Sequence, residues 1–179
     1  EAINITKSII AQDPGHIESV AFLASLYIKD KKYTDAINVL DAALQNNQNN
    51  EQLNKLLASA LVANKNYERA EVIYKEFLER NPDSVASYNN LANFYNLTDN
   101  KIKAENTLRV SIDNDPDDVE RQLTLVQYIR LTKGNDDAIQ ELKSLISKNN
   151  GLGKLRTALA ELFILNGDKQ SAVDIYKKA

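Results

Sequence analysis

The 179-residue chain is 43% apolar and 26% charged, a globular balance, and its lack of cysteine removes disulfides, thiolate metal sites and cysteine nucleophiles together. Its net charge is −3 with basic and acidic residues interspersed, which excludes the clustered Lys/Arg stripe that binding to nucleic acid requires. No run of about 18 apolar residues exists to span a bilayer, and five glycines and three prolines leave little punctuation, so helices joined by short turns are predicted.

Residues 1–16 read as the second half of a helical hairpin, in which Ala2 opens an apolar stripe and Pro14, lacking an N–H, closes it. The stripe then recurs with a period of 34, because Ala36, Ala70, Ala104, Ala138 and Ala172 each follow the last at that spacing. Full units are predicted at 17–50, 51–84, 85–118 and 119–152, with an incomplete one at 153–179. Each full unit holds two helices, A and B, about eleven in the whole chain.

In the unit 17–50, helix A presents Leu23, Ala24 and Tyr27 on one face and helix B presents Ala36, Leu40 and Ala43, with Gln48 where Pro14 stood. The unit 51–84 repeats this with Leu57, Ala58 and Leu61, then Ala70, Tyr74 and Phe77, closing on Pro82. The unit 85–118 carries Leu91, Ala92 and Tyr95, then Ala104, Leu108 and Ser111, closing on Pro116. In 119–152 the places are taken by Leu125, Val126 and Ile129, then Ala138, Leu142 and Leu145, with Asn150 at the proline position. The last unit offers Leu159, Ala160 and Phe163, then Ala172 and Tyr176. Asn50, Ser84 and Asp118 precede successive A helices and are predicted N-caps. A single hairpin cannot bury its own apolar face, so each unit is expected to be stabilised by stacking on the next.

The order of these residues resembles the tetratricopeptide repeat, with Tyr88, Leu91, Ala92, Tyr95, Ala104 and Pro116 matching its signature in one unit. The resemblance covers the whole chain and implies an all-α fold, an α-solenoid in which antiparallel helix pairs wind into a right-handed superhelix. The aromatic that opens helix A is replaced by Val20, Asn54, Gln122 and Arg156, and the small residue by Val126, where looser or shifted packing is expected. The ungapped units with Lys/Asn-rich turns are similar to long bacterial repeat proteins, including envelope-associated lipoproteins of exopolysaccharide and sorting systems. The absence of Met, at position 1 as elsewhere, leads to the expectation that the chain is a piece of a longer one. Its ends, from a half unit to an uncapped Val173, Ile175 and Tyr176, predict further repeats on both sides.

No catalytic constellation forms. The one histidine, His16, falls in a turn and reads as solvated, and no serine sits in a strained turn beside a base. Asp113, Asp115, Asp117 and Asp118 lack the loop glycine and terminal glutamate of a calcium loop, and read as a helix end followed by a cap. No phosphate-cradling loop and no cofactor motif is present, and the Asn-x-Thr triplets at Asn4 and Asn96 fall on predicted helices. The chain is therefore read as non-catalytic, with neither cofactor nor metal.

The resemblance further implies that helix A lines a concave face that receives a peptide or helix of a partner protein. On this chain that face has five rungs, Glu18, Ala21, Ser25, Ile28 and Lys29, then Gln52, Lys55, Ser59, Val62 and Ala63, then Ala86, Asn89, Asn93, Asn96 and Leu97, then Glu120, Leu123, Gln127, Arg130 and Leu131, then Lys154, Thr157, Glu161, Ile164 and Leu165, of which Lys55, Asn89, Asn93, Asn96, Leu97, Gln127, Arg130, Leu131, Lys154 and Leu165 are the candidate groove residues. The amides Asn89, Asn93, Asn96 and Gln127 beside Lys55 suit an extended peptide backbone, and polar helix surface is equally what solvent demands. Leu97, Leu131 and Leu165 occupy one repeat position, either as an apolar strip for a ligand or packed against the end of helix B. The two-carboxylate clamp of chaperone cofactors is incomplete in both registers, so tight recognition of an acidic C-terminal peptide is not expected. A protein-binding scaffold is the leading expectation. The alternative is a spacer or self-associating segment that positions other domains. Compartment stays open between the cell envelope and the cytoplasm.

Overall fold

The structure, a computed structural model, describes residues 2–148 and 153–177. Among them there are eleven helices and no strand. The chain divides into two compact units, residues 1–81 and 82–179. Unit one holds α1 (Ala2–Gln12), α2 (Ile17–Lys29), α3 (Tyr33–Leu44), α4 (Glu51–Ala63) and α5 (Tyr67–Arg80). Unit two holds α6 (Val85–Leu97), α7 (Lys101–Asn114), α8 (Val119–Lys133), α9 (Asn135–Lys148), α10 (Gly153–Leu165) and α11 (Lys169–Lys177).

In each unit every helix packs on the next in the chain, as short connections between helices require. Helices of A type also touch their own kind, α2 against α4 in the first unit and α8 against α10 in the second. The periodic alanines explain the close approach: Ala36, Ala70, Ala104, Ala138 and Ala172 are buried, as are Leu23, Leu57, Leu91, Leu125 and Leu159 on the A helices. Toward the C-terminal end burial falls away, and Tyr176 is half exposed where its counterpart Leu40 is fully buried.

Caps set where the A helices begin. Asn50 accepts from the Leu53 N–H at 2.9 Å, Ser84 from Ser87 at 3.2 Å, and Asp118 from Glu120 at 2.8 Å. His16 holds the same repeat position and does the same work: its Nδ1 accepts from the Ser19 N–H at 3.2 Å, so this exposed histidine is a helix cap rather than a merely solvated turn residue. Asn150, the predicted substitute for proline, lies outside the described residues.

The turn from helix A to helix B bends through a left-handed residue at one repeat position, Lys31 at φ 59°, Lys65 at 61° and Asp99 at 58°, with Gly167 at 84°. Only the last is the residue that adopts this backbone without steric cost. In the unit 119–152 the turn is built differently. There α8 runs on to Lys133, and the left-handed place moves one residue to Gly134 at φ 109°.

Three of the four residues that replace the aromatic on helix A are buried, and Arg156 is half-buried. The buried three are Val20, Asn54 and Gln122, and the two amides stand in for a ring by bonding backbone across the preceding turn. Asn54 Nδ2 donates to the Gln48 carbonyl at 2.8 Å, and Gln122 Nε2 donates to the Pro116 carbonyl two repeats later. Gln122 Oε1, however, is buried without a partner. Beside it on α8, buried Arg121 donates to Asp118 Oδ2 at 3.2 Å, to the Ser111 carbonyl at 3.0 Å and to the Asp83 carbonyl at 2.6 Å, and stacks on the Tyr88 ring. One guanidinium thereby ties the start of α8 to the end of α7 and to the segment leading into α6.

Candidate interaction face

On the B side of each unit, the cross-repeat contacts are made by charge. Arg69 of α5 forks onto Asp41 of α3, and Arg109 of α7 forks onto Glu141 of α9 at 3.0 and 2.9 Å. Arg109 also holds Glu105 at 2.9 Å, and Lys133 from the end of α8 reaches Glu105 at 2.7 Å. Burial pushes the Glu105 carboxyl up, but these two cations outweigh it and hold the group below the usual carboxylate range. Burial likewise opposes ionisation at Asp118, and the Glu120 and Arg121 amides with the Arg121 guanidinium hold it low instead.

The A side of unit two carries a row of large apolar side chains in solvent. Leu97, Leu131 and Leu165 are 71%, 72% and 64% exposed, which excludes packing against the end of helix B. Each lies in the last turns of its helix, α6, α8 and α10, and Ile102 at the start of α7 is 77% exposed. The equivalent positions in unit one are Lys29 and Ala63, so the apolar row belongs to the second unit alone.

Between α8 and α10 lies a cavity of about 400 Å³. Leu123, Gln127 and Arg130 line it from α8, and Glu161 and Leu165 from α10. Val126, Leu142 and Leu162 form its floor. Five residues of the face that the family resemblance implies thus share one depression, among them the candidate groove residues Gln127, Arg130 and Leu165. Arg130 Nε donates to Gln127 Oε1 at 3.1 Å, which holds the two polar side chains together on the α8 wall.

The other expected site residues lie outside this cavity. Lys55 is exposed on α4 in unit one and is paired with Glu51, whose carboxyl the hydrogen bond and charge of Lys55 pull below its ordinary value. Asn93 and Asn96 are exposed on α6 and Asn89 is half-buried there, and no intrachain hydrogen bond among the described residues engages their side-chain amides. Lys154 is exposed at the second position of α10. Glu161 was part of the imported face, but its placement opposite Arg130 depends on how α8 and α10 pack, which spacing does not report.

Among the described residues no group of three or more His, Asp or Glu is placed to hold a metal ion, and no helix is long and apolar enough to cross a membrane. The tetratricopeptide repeat model matches residues 1–60 and 61–127, more than half of the chain. The chain belongs to the tetratricopeptide repeat family. No curated protein sequence matches it. Solved structures share the fold at low identity. A tetratricopeptide repeat protein from Parabacteroides merdae is 18% identical with a TM-score of 0.59, over 98% of this chain and 70% of its own. MamA is 18% identical with a TM-score of 0.57, over 83% of this chain and 86% of its own. YrrB, described as a tetratricopeptide repeat protein with an unusual peptide-binding site, is 12% identical with a TM-score of 0.52, over 97% of this chain and 89% of its own. Such repeats generally mediate protein–protein interaction, and the exposed leucines of this one lie on the helix type that the family resemblance assigns to binding.

Proposed function

We propose that this tetratricopeptide repeat chain is a non-catalytic scaffold that receives a segment of a partner protein on the helix-A face of its second unit. The observation that carries the reading is the exposure of Leu97, Leu131 and Leu165 at one repeat position, the last of which also lines the α8–α10 cavity. A large apolar side chain left in water forfeits roughly 1.5 to 3 kcal/mol that burial would return, and a row confined to one unit concentrates that return on one surface. The depression beside it adds shape, and free amides on α6 add donors and acceptors suited to a peptide backbone. YrrB, a neighbour in fold described by its peptide-binding site, supports the same class of ligand.

The test is to pan a random peptide library against the whole chain and measure the recovered peptides on Leu131→Asp and Leu165→Asp variants. Both side chains are exposed, so melting temperatures should match the parent while binding is lost. Peptides that bind the variants as tightly as the parent would place the interaction elsewhere.

A further inference from the structure

In unit two the charged side chains that meet one another are already committed. Arg109 is divided between Glu105 and Glu141, Lys133 is on Glu105, and Arg121 is buried on Asp118 and two carbonyls. The α8–α10 cavity breaks this pattern. Arg130 gives only its Nε, to the neutral Gln127, so both Nη groups of its planar fork keep their N–H donors, and no carboxylate among the described residues stands within ion-pair distance of it. Across the cavity Glu161 has no hydrogen bond or ion pair among the described residues. A cation and an anion thus face one depression without neutralising each other, over an apolar floor that includes Val126 and Leu142.

We propose that this cavity reads a linear protein segment in which one large apolar residue is flanked on one side by an acidic residue and on the other by Lys or Arg. This rests on the reading that the helix-A face is the docking face, and adds the chemistry of what docks. The apolar side chain enters the space, whose volume of about 400 Å³ admits a large aromatic or aliphatic group together with part of the segment that carries it. The acid meets the Arg130 fork, which is shaped for bidentate carboxylate pairing, while Gln127 holds the guanidinium in place. The basic residue meets Glu161. Opposite charges at the two walls fix the direction in which the segment runs, because the reversed segment would set like charges together.

A random peptide library panned on the whole chain and on the double variant Arg130→Glu with Glu161→Arg tests this. The parent should enrich peptides with an acid and a base on defined sides of an apolar residue, and the double variant should enrich the reversed order. A synthetic peptide from the parent pool should bind Arg130→Glu roughly tenfold more weakly, a loss of about 1.4 kcal/mol, and exchanging its acid for Lys should restore that loss. Arg130→Gln, which removes the charge without reversing it, gives the same direction if the swap disturbs folding. Pools with the same charge order on both proteins would overturn the proposal, and if those peptides still need Leu131 and Leu165 the docking face itself stands. Pools indifferent to the leucines as well would remove both.

Discussion

Replacing Gln122 by Glu sets a carboxylate oxygen where an amide N–H now stands, against the Pro116 carbonyl, at a side chain with 0% exposure. The parent already leaves one acceptor, Oε1, unpaired, so the variant would bury two acceptors and a charge with no donor for them. The charged form is the costlier, and the folded protein will protonate the new Glu instead, so that its O–H donates to Pro116 as the amide did. Taking an ordinary carboxyl value of about 4.3, holding the proton at pH 7 costs at most about 3.7 kcal/mol, at about 1.4 kcal/mol per pH unit. The sign follows from linkage: between the unfolded value and the raised folded one, the folded state binds the extra proton, so the variant's deficit shrinks as pH falls. Urea unfolding of Gln122→Glu and the parent at pH 7, 6 and 5 should show a gap of a few kcal/mol that closes steadily toward acid. A gap that is small at pH 7, or constant across the series, would refute the assignment of Nε2 to Pro116 and the dryness of the site.

Three further perturbations follow from the packing. Arg121→Met keeps the aliphatic stem but takes the guanidinium from Asp118 Oδ2 and leaves the Ser111 and Asp83 carbonyls without it, and should cost about 3 kcal/mol in chemical denaturation, with hydrogen exchange rising first in α7 and at the start of α8. Glu105 is held below its ordinary value, so its contribution is present above pH of about 4.3 and is lost as pH falls through the folded value; Glu105→Gln should lower stability by about 1 kcal/mol at pH 7 and the gap should close as the solution is acidified, whereas a gap that stays constant into acid would contradict this. Lys65→Gly removes a left-handed lysine at φ 61° and should raise stability by about 0.5 to 1 kcal/mol after the entropy of the freer unfolded chain is counted, read as a higher melting temperature.

The alanine period and its companions were legible because a stacked repeat demands the same small residue wherever two helices meet, so the constraint is written once per unit. Proline stops and the caps Asn50, Ser84 and Asp118 were legible for the same reason: they satisfy backbone groups within a few residues of themselves. His16 was missed as a cap because imidazole is an unusual acceptor there, although its place in the repeat matches the other three. The left-handed turn was hidden because Lys and Asp fill it instead of glycine. The longer α8 was hidden too, since the period stays at 34 while Gly134 takes over the turn.

What this sequence determined by itself is a stack of helical hairpins of the tetratricopeptide repeat type, because periodic burial and local capping act over distances the chain order spans. Only the tertiary structure decided that Leu97, Leu131 and Leu165 stand in water rather than in the core, since one helix face can meet either solvent or a neighbour and spacing cannot tell which. It likewise decided that Arg130 and Glu161 share a cavity without pairing, because they lie on helices a full hairpin apart and meet only through the packing of α8 on α10.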